Sequence, residues 1–159
     1  FDFRCIRFPG IISASTMPTG GTSDYAPEMI HHAAQNKTYD CFVHSETKLP
    51  FVMMPDAIDA IFKIMKAPKK HLLNKIYNIT SFSPRAKDFY DYTKQYYNDF
   101  NISYNINEMR QNIVNSWPDY IDDSKAHDDW GWKSSQNLSE AYQKYIIPTL
   151  TNFYQLGEK

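Results

Sequence analysis

Glycine is scarce in this chain. Five occur in 159 residues, at positions 10, 20, 21, 131 and 157, and no spacing among them makes a G-x-G-x-x-G or G-x-x-G-x-x-G turn. A phosphate-cradling loop of that kind is therefore not expected in these residues. Cysteine is rarer still. Cys5 and Cys41 lie far apart, each inside an apolar run, as small core residues often do. Two such residues argue against a disulfide scaffold and suit a reducing compartment. The histidines make no metal site either. His31 and His32 are adjacent, so on a helix they diverge by about 100°. His44, His71 and His127 stand without Cys or carboxylate partners at ligand spacing. Excess charge is absent too: the net charge is −1, and Lys69-Lys70 is the only adjacent basic pair, so no nucleic-acid partner is expected. No apolar run approaches the ~20 residues needed to span a bilayer, and no signal-peptide pattern opens the chain. No membrane partner is expected.

Aromatic residues, by contrast, are plentiful. Twelve Tyr and ten Phe within 42% apolar residues supply a packed core for one domain or part of one. Phe1, Phe3, Cys5, Ile6 and Phe8 mark a strand over 1–8 covered on both faces, ended by Pro9-Gly10. A polar, glycine-containing loop follows, and then a helix from Asp24 to about Asn36. Runs 38–43, 48–54, 76–80 and 102–106 read as strands. Residues 55–68 form an amphipathic helix with Ala57, Ile58, Ile61, Ile64 and Met65 on one side. Ser83-Pro84 reads as the start of a helix to Tyr97. Further helices are expected over 108–115, from Asp123 or Ser124 to Gly131, and over 138–153. Alternation of this kind argues α/β. A chain that opens inside a parallel strand, without Met, is expected to be the C-terminal part of a longer polypeptide, because such a strand needs neighbours on both sides.

Several stretches carry a resemblance. RFPGIIS followed by PTGGTSDYA, then KLPFVMMPDAIDA (48–60), IYNITSFSP (76–84) and NSWPDYIDDSKAHDDWGWK (115–133), agree in order and spacing with one family. The chain resembles the second half of the short-chain-type, NAD-dependent L-threonine 3-dehydrogenases, within the extended short-chain dehydrogenase/epimerase superfamily. PGIIS, GGTSDY and SWP point to the threonine enzymes; PDAIDA and DDSKAHDDWGW are shared more loosely by the superfamily. The resemblance implies the C-terminal part of an NAD(P)-binding, Rossmann-like fold, with the last strands of the parallel sheet and a small α/β substrate-binding subdomain. Residues 1–37 and 48–81 would then be sheet-associated, and 82–159 mainly substrate-domain and C-terminal helices. The dinucleotide-binding half would lie outside this sequence.

The same resemblance implies a function: oxidation of L-threonine to 2-amino-3-oxobutanoate with NAD. The catalytic Tyr-x-x-x-Lys of the family precedes the FRCIRFPG strand, so no catalytic residue is expected here and this piece alone would be inactive. Phe8, Pro9, Gly10, Ile11 and Ile12 would touch the cofactor; on the residues alone they could equally be a strand terminus. Thr22, Asp24 and Trp117 would surround the substrate. Asp24 could face the ammonium or cap the helix, and Trp117 could be packing. Tyr90 and Lys94 have the Tyr-x-x-x-Lys spacing at the wrong place in the chain, and are read as packing or surface. Trp130 and Trp132 are read as anchors for the last helices. A homodimer is expected, in mitochondria or cytoplasm, and in mitochondria if the source is eukaryotic. Two other readings stay open: a nucleotide-sugar epimerase or dehydratase, with Arg85 and Arg110 as its cations, and a non-catalytic interaction fragment.

Overall fold

Each strand of the protein is short, and the strands pair two by two in parallel. In the computed structural model, which describes residues 1–156, β1 (Cys5–Arg7) pairs with β5 (Ile76–Asn78), β2 (Gly10–Ile12) with β4 (Phe51–Met53), and β3 (Tyr39–Cys41) with β6 (Ile102–Tyr104). Parallel pairing between segments this distant requires crossovers. Helices supply them: α1 (Tyr25–Ala34), α2 (Met54–Lys66) and α3 (Ala86–Tyr96). Then come α4 (Glu108–Asn115), α5 (Ser124–Trp130), α6 (Leu138–Ala141) and α7 (Ile147–Leu156). The architecture is α/β, as the alternation implies. The last three residues of the 82–159 segment lie outside the described residues.

The strand expected over 1–8 is two strands. Pro9 interrupts pairing, but Gly10 does not end it: its amide donates to the Pro50 carbonyl at 3.2 Å, and the chain re-enters a ladder with a new partner, β4. Nor is the first strand covered on both faces. Phe1, Phe3 and Phe8 are exposed, and β1 has a neighbour on one edge only among the described residues.

α3 opens at Ala86 rather than at Pro84. Phe51 and Phe82 form an antiparallel bridge, as do Lys48 and Arg85, and this holds 82–85 extended. Arg85 becomes the cap, its amide donating to the Asp88 carboxylate at 2.8 Å. α2 buries Ala57, Ala60 and Ile64 and leaves Ile58, Ile61 and Met65 exposed; the buried stripe follows the i, i+3, i+7 line of the small residues. Between α6 and α7 the helix widens to π register over Tyr142–Ile146. Pro148 lacks the amide that would bond the Lys144 carbonyl, and the wider turn falls just ahead of it. Gly131 ends α5 with φ +71°, the left-handed conformation of a helix C-terminus.

Two cores result. Tyr25, Met29, Phe51, Phe89, Tyr142 and Leu150 belong to the larger, between α1, α3 and the last helices. Val52, Ala60, Ile64, Tyr77 and Trp132 belong to the smaller, around α2, β5 and α5. Trp130 and Trp132 therefore fasten α5 to β5 and α2 instead of anchoring the last helices. The Trp132 indole N–H donates to Asp123 at 2.9 Å, and Trp130 meets the Tyr77 ring edge-on. Asp56, buried at the start of α2, accepts from the hydroxyls of Ser81, Ser134 and Ser135. This ties the 134–135 turn to the helix.

Asp129 joins α5 to the entry of β5. It accepts from the Tyr77 hydroxyl at 2.6 Å, the Leu73 amide and the Asn74 side chain, and these donors, the tyrosine first, hold its carboxyl below the usual carboxylate range. A lowered folded-state pKa contributes stability above the ordinary carboxylate pKa, and that contribution is lost as pH falls through the folded value. Tyr77→Phe in the full-length protein is expected to cost about 1–2 kcal/mol at pH 7. The difference from wild type should narrow below about pH 4. Urea unfolding at pH 7 and pH 3 measures both; an equal loss at the two pH values contradicts the assignment.

Candidate functional site

Three loops meet at one cavity of about 310 Å³. Phe8, Pro9 and Gly10 come from the β1–β2 junction, Ser23 from the loop before α1, and Trp117, Pro118 and Ile121 from the segment after α4; Leu49 and Pro50 close the floor ahead of β4. The lining is mainly apolar, and the indole of Trp117 is 43% exposed at the rim. A cavity of this size and character suits one planar ring or a small polar molecule held against an apolar wall.

Gly10 is a packing requirement as much as a site feature. It lies opposite Phe51 in the ladder, and a Cβ there would sit 2.6 Å from the Phe51 ring. The absent side chain lets an aromatic ring pass under the strand exit. That ring is itself held: Phe51 meets Tyr25 and Phe89 edge-on, at centroid distances of 6.0 and 5.3 Å.

The glycine loop is organised from within by Asp24. Its Oδ2 accepts from the amides of Thr19, Gly20 and Gly21, at 3.2, 3.1 and 2.7 Å. Asp24 precedes α1, but its side chain makes no cap bond to the helix; the carboxylate turns back to the loop. Gly20 has φ +91°, and a Cβ on Gly21 would lie 3.0 Å from Asp24 Oδ1. Gly20 is needed for its positive φ, and Gly21 leaves room for the carboxylate.

The expected residues separate accordingly. Phe8, Pro9, Gly10 and Trp117 line the cavity. Ile11 is exposed beside it, and Ile12 turns inward to the large core. Thr22 is half-buried next to Ser23. Ser23, of the GGTSDY stretch, also lines the cavity; Leu49, Pro50, Pro118 and Ile121 were not anticipated, and the Pro of SWP and the Leu-Pro of KLPF were visible in the sequence only as breaks. Arg85, one candidate cation, pairs with Asp88 and Glu46. Lys94 donates to the Phe100 carbonyl at 2.6 Å and Tyr90 packs against Phe100, so neither faces the cavity. Among the described residues no three His, Cys, Asp or Glu side chains gather as a metal site, and no helix is long and apolar enough to cross a membrane.

Paired parallel strands, helical crossovers and a cavity at the strand ends define the class: this is the C-terminal part of an extended short-chain dehydrogenase/epimerase fold. A UDP-glucose 4-epimerase of Thermotoga maritima shares that fold at TM-score 0.72 and 14% identity, over 97% of this chain and 46% of its own. Within the class, the chain's homologues are L-threonine 3-dehydrogenases. It is 37% identical to the mitochondrial L-threonine 3-dehydrogenase of Bos taurus over 153 residues, which is 96% of this chain and 40% of that protein. The L-threonine dehydrogenase of Clostridium difficile superposes with a TM-score of 0.89 at 36% identity, covering 98% of this chain and 48% of its own. A Staphylococcus aureus protein described as an uncharacterized epimerase/dehydratase is 38% identical over 86% of this chain. No family model matches. The chain spans 40% to about half of the length of these relatives.

Gly10→Ala is expected to destabilise the full-length protein by about 1–3 kcal/mol, because the new methyl group overlaps the Phe51 ring. The loss should shrink in a Phe51→Leu background. Thermal unfolding of the double-mutant cycle checks this, and strict additivity would show that the two residues do not clash.

Proposed function

We propose that the protein to which this chain belongs is an NAD-dependent L-threonine 3-dehydrogenase, oxidising L-threonine to 2-amino-3-oxobutanoate. One observation carries the reading: the cavity is walled by residues of PGIIS, GGTSDY and SWP, the three stretches that distinguish the threonine enzymes from the wider superfamily. In this reading the chain supplies the substrate lid and one wall of the nicotinamide pocket, and another part of the polypeptide brings the tyrosine base and its lysine. NAD, when bound, would supply the two-electron acceptor for the substrate's β-carbon. The apolar surface of Phe8, Pro9 and Gly10 fits one face of a nicotinamide ring. Ile11 extends that wall at the surface, and Ile12 supports it from the core.

Thr22 and the turn before α1 offer a hydroxyl and backbone amides to the substrate carboxylate. Asp24, with Oδ2 taken by the loop amides, presents Oδ1 toward the ammonium. Trp117 closes over the amino acid and excludes water, which strengthens the electrostatics inside. The partners in this reading are L-threonine, the N-terminal half of the same enzyme and a second copy of it. The compartment is mitochondrial if the source is eukaryotic, and otherwise cytoplasmic.

A nucleotide-sugar epimerase is the alternative within the superfamily. It would need free cations for a diphosphate, and both candidates are engaged. Arg85 is paired with two carboxylates, and Arg110 donates to backbone carbonyls of the glycine loop.

The full-length protein is expected to form NADH with L-threonine and not with UDP-sugars, followed by absorbance. Thr22→Ala should raise KM for threonine by roughly tenfold or more with a smaller change in kcat. A folded, NAD-binding protein without threonine turnover would favour the epimerase. Failure to bind NAD would leave a non-catalytic interaction fragment.

A further inference from the structure

The glycine loop is held from two directions, and only one hold is local. Asp24 gathers the amides of residues 19–21. The carbonyls are gathered by a residue ninety positions away. Arg110, on the first turn of α4, donates from Nη2 to the Gly20 carbonyl at 3.0 Å and to the Gly21 carbonyl at 2.5 Å. Its guanidinium carbon lies over the Phe42 ring, 3.3 Å from the centroid. Stacking of this kind fixes a planar cation against an aromatic face and orients its donors.

The platform beneath Arg110 is rigid. The Arg110 amide donates to the Asn107 side chain at 3.0 Å, and the Asn107 amide donates to the Phe42 carbonyl. Next along the helix, buried Gln111 accepts from the His44 amide at 2.8 Å and bonds the Thr47 hydroxyl. α4 is thereby fastened to residues 42–47. The helix ends at Asn115 in a turn that leads to Trp117, whose amide donates to the Val114 carbonyl, so one short helix and its closing turn set both the loop wall and the tryptophan wall of the cavity.

We propose that Arg110 is a positioning residue. It latches the 19–23 loop to α4 and fixes the spacing between Ser23 and Trp117 across the cavity, and so the affinity for the small molecule bound there. Two consecutive glycines lose more conformational freedom on ordering than any other pair. A loop built from them stays ordered only if enough backbone groups are held; beside the Asp24 amide, which donates to the Gly21 carbonyl at 3.0 Å, Arg110 supplies the side-chain bonds to carbonyls that the Asp24 carboxylate cannot make. Assigning the small molecule as L-threonine rests on the function proposed above; the latch itself does not.

The test uses the full-length protein with Arg110→Met, which keeps an apolar stem over Phe42 but removes the donors, and Arg110→Lys, which keeps a charge without the planar fork. Hydrogen exchange without substrate should speed roughly tenfold at the amides of residues 19–23 in Arg110→Met, while β4 and α3 keep wild-type protection. Arg110→Lys should fall between the two. In steady-state kinetics, KM for L-threonine should rise by roughly tenfold while kcat and KM for NAD change by less than about threefold. Unchanged loop exchange in Arg110→Met would overturn the latch. Equal acceleration in loop and core would mark Arg110 as a general packing residue, which also overturns it. If the wild-type protein shows no threonine turnover, the exchange result still decides the latch, and only the proposed function falls.

Discussion

An aromatic cluster underlies the candidate site. Phe51, Tyr25, Phe89 and Phe42 meet edge-to-face around Tyr25, with Phe51 also against Phe89. Each ring belongs to a different element: β4, the first residue of α1, α3, and the segment after β3. Three of the four also position something above them. Phe51 lies under Gly10 and sets the height of the strand exit. Tyr25 follows the glycine loop directly and anchors its far end. Phe42 carries the Arg110 guanidinium. Aromatic pairs of this geometry add specific orientation to apolar burial, so the three walls of the cavity are referred to one rigid base.

Much of this was legible along the sequence. The α/β class follows from alternating patterns, α4 covers the expected 108–115, and α5 falls between Asp123 and Gly131 as expected. What failed was local reading where pairing is non-local. Pro9-Gly10 has the chemistry of a terminus, yet Gly10 opens β2 because Pro50 offers a carbonyl forty residues on. Ser83-Pro84 has the chemistry of a helix start, yet the bridge from Phe51 to Phe82 keeps that segment extended. In both cases a long-range backbone bond outweighed a propensity amounting to a few tenths of a kcal/mol up to about 1 kcal/mol.

The site divides in the same way. Gly10, Gly20, Gly21 and Trp117 carry compositional signals, since glycine beside an aromatic or a charged turn is unusual in a chain with so few. Ile121 carries none, and Arg110 carries only its charge. A single arginine at the start of a short polar helix looks like solvated surface until the carbonyls of residues 20 and 21 are found beside it. Asp24 shows the intermediate case. Its position before a helix announces a cap, yet its carboxylate makes no bond to the helix and instead accepts from three amides of the preceding loop.

Glycine scarcity gives that loop its meaning. A chain with five glycines places two of them side by side, at a turn where Gly20 needs a positive φ and Gly21 must admit a carboxylate against its α-carbon. The conformation is available to glycine without strain, but so are many others. Order must therefore come from outside the pair, and it comes as opposite charges on the two kinds of backbone group in the same loop. A carboxylate collects the N–H ends and a guanidinium collects the C=O ends. Charge-assisted bonds are the stronger kind, and here they face solvent, where water competes for each of them. Such a loop is ordered by bonds for which water is a ready substitute, so its conformation depends on Asp24 and Arg110 together.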